Sequence, residues 1–212
     1  MVVWTILFDG ILPFLCNLCE SSLDSHFNFH SVTTLHICLQ QIKAFVLADL
    51  PAINEGEFHH KSKIHSIAVK PYEPFTEFMV IRILKIIWNN WEDPLNQTVK
   101  QVHVVFQLLI DVHSICFKTL KWNLVQMNVK DESEEKNNAI GTFLNKIASD
   151  LLFVGGHLKG MYVPLATLGQ RLGANNLLSM RPKLLFEIVQ AYMNDDTCCV
   201  ATSFLNCFLE CL

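Results

Sequence analysis

The chain has 212 residues, 51% of them hydrophobic and only 17% charged, with a formal net charge of −4. Typical soluble domains carry about 25% charged residues, so there is ample material for a large core. The 16 basic and 20 acidic residues leave no general electrostatic footprint for nucleic acid.

No stretch reads as a membrane span, which needs ~20 consecutive apolar residues. Val2–Phe8 stops at Asp9 and Gly10, Ile11–Cys16 meets Asn17, and Phe75–Trp88 carries Glu77, Arg82 and Lys85. Met1–Phe8 lacks the basic start and small-residue cleavage site of a signal peptide. The expectation is a soluble, cytoplasmic protein without membrane insertion. Its eight cysteines sit mostly in apolar helical runs, where free cysteine acts as a small buried hydrophobe, and are read as reduced.

Apolar residues recur at helical spacing along nearly the whole chain. Ser31 is a candidate cap for a helix whose buried stripe is Val32, Leu35, Leu39, Ile42 and Val46, and Leu50-Pro51 ends it. Residues 51–73 read as a polar linker. Pro74 suits a first helical turn, and Phe75, Phe78, Ile81, Leu84, Ile86 and Trp88 form the next predicted buried face. Asn89-Asn90-Trp91-Glu92 breaks that helix. Asp93-Pro94 opens another, whose stripe is Leu95, Val99, Val102, Val105, Phe106 and Leu109. After the acidic run Asp131–Glu135, helices are predicted over Ile140–Phe153 and about 158–173, 182–193 and 197–212. Gly155-Gly156 is a breaker, Gly173 a C-terminal cap, and Asp195 or Asp196 the cap of the last helix.

The fold class this predicts is all-α, an α-solenoid of HEAT- or armadillo-like hairpins, because two helices per ~40 residues is that rhythm. The chain reads as a single segment, 1–212, with hairpins at about 2–50, 74–116, 139–173 and 182–212. Stacking then predicts one continuous core holding Trp88, Phe106, Phe143, Leu165, Phe186 and Phe204.

Cys16-x-x-Cys19, with His26, His30, His36 and Cys38 beyond, offers ligand types that zinc accepts. The spacing argues against it: six residues separate Cys19 from His26, where a zinc finger uses about a dozen. A redox Cys-x-x-Cys would need a βαβ setting. His59, His60 and His65 lack a partner nucleophile or carboxylate. No GxGxxG or P-loop occurs. No catalytic residue, cofactor-binding residue or metal ligand is therefore assigned, and the chain is not read as an enzyme. A modest basic cluster, Lys159, Arg171, Arg181 and Lys183, could touch RNA phosphates or an acidic partner; a solvated rim is the simpler reading.

Two stretches carry a family resemblance. Ile87-Trp88-Asn89-Asn90-Trp91-Glu92-Asp93-Pro94-Leu95, running on to Val112-His113, resembles a helix–turn–helix stretch of the THADA (thyroid adenoma-associated protein) family. His157-Leu158-Lys159-Gly160-Met161-Tyr162, followed by Asn176-Leu177-Leu178, is similar to that family's His-x-Lys-Gly-x-Tyr segment. The resemblance covers about residues 80–212, with a looser match over Asp24–His30. It implies a long helical solenoid that acts as the non-catalytic partner of a ribose methyltransferase, which methylates the 2′-hydroxyl of nucleotide 32 in the tRNA anticodon loop. The partner so implied is a protein; tRNA would be met only through the full-length complex. The family's proteins are far longer, and no functional residue is carried over. Two other classes remain beside it: a general HEAT-type protein–protein adaptor without an RNA role, and a small metal-binding module.

Overall fold

The first apolar stripe read from the sequence is fully buried at each of its four described side chains. Val32, Leu35, Leu39 and Ile42 all have no exposed surface, along a helix spanning Ser25–Ala48. This is a computed structural model describing residues 6–21, 24–48, 76–126, 143–152 and 159–211, with backbone alone at 46, 48, 77 and 116–126. Val46, the linker 51–73 with His59, His60 and His65, Pro74, Phe75, Asp131–Glu135, Ile140, and Phe153 with Gly155-Gly156 fall outside those descriptions.

Among the described residues all regular structure is helical. A π-helical turn, Ile6–Ile11, runs into α1, Leu12–Ser21. Then follow α2 (Ser25–Ala48), α3 (Glu77–Asn90), α4 (Asn96–Gln126), α5 (143–152), a 3-10 turn (Lys159–Met161), α6 (Tyr162–Leu172), α7 (Ala174–Met180), α8 (Leu184–Tyr192) and α9 (Cys198–Glu210).

Local chemistry sets the boundaries. α2 begins at Asp24, not at Ser31: the Asp24 carboxylate accepts the Phe27 N–H at 3.0 Å. Ser31 lies inside the helix and donates its hydroxyl to the Phe27 carbonyl at 2.9 Å. Thr76 caps α3 by accepting the Met79 N–H at 3.2 Å. At the α3–α4 turn the Asp93 carboxylate accepts the Leu95 N–H at 2.8 Å, and α4 follows. Gly173 does end α6, at φ +82°, where a residue with a Cβ is strained, and its N–H returns to Gly169 O at 2.8 Å. α7 is an extra helix in what reads as a connection. Neither Asp195 nor Asp196 caps α9. Thr197 stands at that position, its hydroxyl turned back to the Ala191 carbonyl at 2.6 Å.

α2, α4 and α6 run side by side in one direction. His36 meets Gln101 and Lys43 meets Asp111 between the first two; Gln107 meets Thr167 and Asp111 meets Arg171 between the second two. α1 lies on α3 in the same sense, and α9 packs against both α6 and α8. Phe106, Leu165 and Phe204 belong to the buried cluster, with Trp88 and Phe143 half-buried against it.

Two expected core faces are rotated. Phe78 is 67% exposed and Ile81 52%, while Met79, Val80, Ile83, Ile86 and Ile87 take the interior of α3. Phe186 is 63% exposed, and Leu184, Ile188 and Ala191 are the inward residues of α8. Both helices are apolar on more than one side, so periodicity alone does not fix which stripe turns inward.

Candidate functional site: a junction at the turn between α3 and α4

The two stretches that carry the sequence resemblance meet at the α3–α4 turn, joined there by Asn28 from the looser match. From α2, the Asn28 amide donates to Asn90 Oδ1 at 2.5 Å and to Asp93 Oδ2 at 3.1 Å. Asn90 is held by donating its own amide to the Ile86 carbonyl at 2.7 Å. From the 3-10 turn, the Gly160 N–H donates to Glu92 Oε1 at 2.6 Å, and the Gly160 carbonyl lies 3.2 Å from His103 Nε2 on α4. The N–H and the carbonyl of one residue, Gly160, are thus both satisfied, by the turn and by the helix after it.

Glycine is required there by proximity. A Cβ at residue 160 would lie 2.3 Å from the Trp91 carbonyl oxygen, a backbone atom that cannot swing aside. Trp91 packs against Trp88 with ring centroids 5.0 Å apart, and Trp88 against Phe106 at 5.9 Å. Burial pushes the His103 imidazole below its ordinary value, so the ring is neutral near pH 7 and is read as donating Nε2–H to the carbonyl.

A second node lies along the same helices. Asp111 on α4 binds Lys43 of α2 at 2.7 Å and Arg171 of α6 at 2.5 Å, one carboxylate oxygen to each. Gln107 donates to the same carboxylate at 3.2 Å and accepts from Thr167. Between α1 and α3, Arg82 reaches Glu20 Oε2 and Asn17 Oδ1, each at 2.6 Å. Apart from Gln107–Asp111, these ties connect residues at least 60 apart in sequence, and no short motif announces them.

The residues weighed as metal or redox candidates do not converge. Cys16 and Cys19 face the core, where burial raises their thiols to about 11 and about 12, and Cys16 Sγ lies 3.8 Å from Met79 Sδ. Cys38 is buried and raised likewise. His26 and His30 are exposed, and His36 is engaged with Gln101 at 2.6 Å. Among the described residues no three metal-type side chains cluster. No described helix is long and apolar enough to cross a membrane. The basic group is divided: Arg171 is paired with Asp111, Arg181 with Glu187 at 2.7 Å, and Lys159 and Lys183 are exposed.

The junction offers no nucleophile–base pair. What it can do chemically is hold three chain segments in fixed relative position. Two buried polar atoms, Asn28 Oδ1 and Thr98 Oγ1, have no hydrogen-bond partner among the described residues, a cost of about 1–3 kcal/mol each that the surrounding contacts offset.

No family model matches the chain. Over 119 residues, 56% of its length, it is 26% identical to the tRNA (32-2′-O)-methyltransferase regulator THADA of Gallus gallus. Over 112 residues, 53% of its length, it is 23% identical to the protein of that name from Canis lupus familiaris. The match spans about 5% of the length of either curated relative. No solved structure matches.

Proposed function

We propose that this chain is a non-catalytic scaffold segment of a regulator of tRNA 2′-O-ribose methylation, bracing a partner methyltransferase that acts at nucleotide 32 of the anticodon loop. The observation that carries the reading is the junction. The segments around Asn90–Asp93 and Gly160, which resemble the THADA family, touch one another, and Asn28, from the more loosely matched stretch, touches the first of them. What the resemblance keeps is thus a means of fixing helices, not a reacting group. The regulator named in the two relatives fits a chain with that role.

In this reading the hairpins 2–50, 74–116, 139–173 and 182–212 are successive units of a HEAT- or armadillo-like solenoid in the cytoplasm, with 51–73 as a linker. The side-by-side course of α2, α4 and α6 supports it, since stacked units place equivalent helices in parallel rows. The role toward tRNA is geometric.

A second reading, a HEAT-type protein–protein adaptor without an RNA role, is favoured by the charges: Arg171 and Arg181 are spent on Asp111 and Glu187. One experiment separates the two. The protein is affinity-purified from cells, its partners identified by mass spectrometry, and ribose methylation at tRNA nucleotide 32 measured with and without it. The first reading expects a ribose methyltransferase among the partners and a fall in methylation on depletion, with none catalysed by the purified chain plus methyl donor. Partners lacking any RNA-modifying enzyme, with methylation unchanged, would leave the adaptor.

A further inference from the structure

The outward face of α8 is apolar from end to end. Leu185, Phe186, Val189, Tyr192 and Met193 all stand in solvent, Met193 at 79% exposure, opposite the inward Leu184, Ile188 and Ala191. The stripe itself carries no charge. Glu187 is drawn to the flank by Arg181, 2.7 Å away. Charges appear only at the two ends: Lys183 exposed just before the helix, and Asp195 and Asp196 exposed just after it.

We propose that this face binds the same face of a second copy of the chain, the two α8 helices antiparallel about a twofold axis at Val189. A twofold interface is self-complementary: residue i meets j, and j meets i. With the axis at 189, Leu185 faces Met193, Phe186 faces Tyr192, and Lys183 faces Asp195. Each of these pairs is apolar on apolar or opposite in charge; Asp196 falls opposite Pro182. A parallel arrangement would set lysine beside lysine and acids beside acids. Neither Lys183 nor Asp195 has an ion pair among the described residues, so both are available across the axis.

Size limits the affinity. A full-size interface buries about 800 Å² per partner, whereas five side chains on two helical turns, two of them aromatics worth ~150–250 Å² each when wholly buried, supply roughly 500 Å². The dimer is therefore weak and concentration-dependent. A membrane is the poorer occupant, because the acids at the C-terminal end repel anionic headgroups.

The test is sedimentation velocity of the purified 212-residue chain from micromolar to near-millimolar concentration. Reversible dimer formation is expected. Val189→Glu, which sets like charges on the axis, should hold the protein monomeric throughout with its circular dichroism unchanged. Lys183→Asp alone should weaken association about fivefold, as loss of exposed pairs does, and adding Asp195→Lys should restore it. A chain that stays monomeric across the range overturns the proposal and leaves the face to a different helical partner. A dimer that survives Val189→Glu, or a charge swap that restores nothing, overturns the assigned face and register.

Discussion

The region from α1 to α4 and the region from α6 to α9 are both helices on helices, yet they are held differently. In the first, apolar contacts come with charged or amide ties across the layers: Glu20 to Arg82, Asn28 to Asn90, His36 to Gln101, Lys43 to Asp111. In the second, α9 is fastened mainly by aromatics, Tyr162 to Phe204 at 5.8 Å and Phe204 to Phe208 at 5.5 Å. Its internal ion pair among the described residues, Arg181–Glu187, joins residues only six apart, and one amide contact, Gln170 Nε2 to Cys207 Sγ at 3.3 Å, links α6 to α9. Burial of a large apolar side chain gives about 1.5–3 kcal/mol wherever it happens, but it is non-directional. The polar ties add little energy and specify register. The first region is therefore specified by pairs and the second by packing, and the second also leaves an apolar face open.

The widest test of that contrast lies within the second region. Phe204→Ala should cost about 3–5 kcal/mol of unfolding free energy, as for any buried phenylalanine. Phe186→Ala, measured at low protein concentration, should fall within about 0.5 kcal/mol of the parent. Equal losses in chemical denaturation would mean that Phe186 is a core residue after all.

Next comes the junction. Gly160→Ala should destabilise by about 2–3 kcal/mol, near the top of the overpacking range, because the added methyl meets backbone and not a movable side chain. Glu92→Gln, which keeps an acceptor but loses its charge, should cost distinctly less. The reverse order in thermal melts would shift the emphasis from fit to electrostatics.

A pH dependence of similar or smaller size should come from His113. Its ring stacks on Phe143 with centroids 3.7 Å apart, and burial holds its pKa at about 4, against an ordinary 6.5. In the unfolded chain the ring takes up a proton as pH falls through 6.5, whereas the folded ring stays neutral until about 4. This contribution to stability is therefore complete above 6.5 and lost as pH falls towards 4. Because the ring keeps some solvent access, about 2 kcal/mol is expected, less than the shift would imply if converted in full. His103, lowered by burial too, acts in the same direction. His113→Leu should flatten the acid limb of stability against pH; an unchanged slope would assign it to other groups.

The smallest effect belongs to Asp111. A double-mutant cycle between Asp111 and Lys43 should return a coupling of about 0.5–1 kcal/mol, and the one with Arg171 somewhat less, since that side chain is 41% exposed. Asp111→Ala should shift denaturation midpoints modestly and alter m-values little. A large change in m would mean that the tie holds the two regions together as one cooperative unit.

The sequence makes the helices legible because local chemistry writes them: apolar spacing in α2, the break at Asn89–Glu92, the glycine after α6. Rotation about the helix axis is less legible. In α3 and α8 nearly every face is apolar, and only tertiary packing chooses Met79 over Phe78, or Ile188 over Phe186. Side-chain caps were harder still. Asp24 acts eight residues ahead of the stripe that opens at Val32, Thr76 lies inside the stripe read from Phe75, and Ser31, chemically suited to capping, is back-bonded inside a helix. The junction is not legible in the sequence: the resemblance marks the stretches but not their meeting, since the contact between Glu92 and Gly160 spans 68 residues. No local pattern encodes a pairing at that range.

The Gly160 N–H has a use that follows from where it points. Its hydrogen is shielded by a carboxylate on a distant turn, so exchange with solvent requires the 3-10 turn to lift from α3 and α4. Other amides inside α4 can open by fraying of their own helix. This one reports a single event, the parting of the chain after α4 from the chain before it. Its deuterium uptake is thus a clock for that separation, and binding that closes the junction should slow it even where no contact is made nearby.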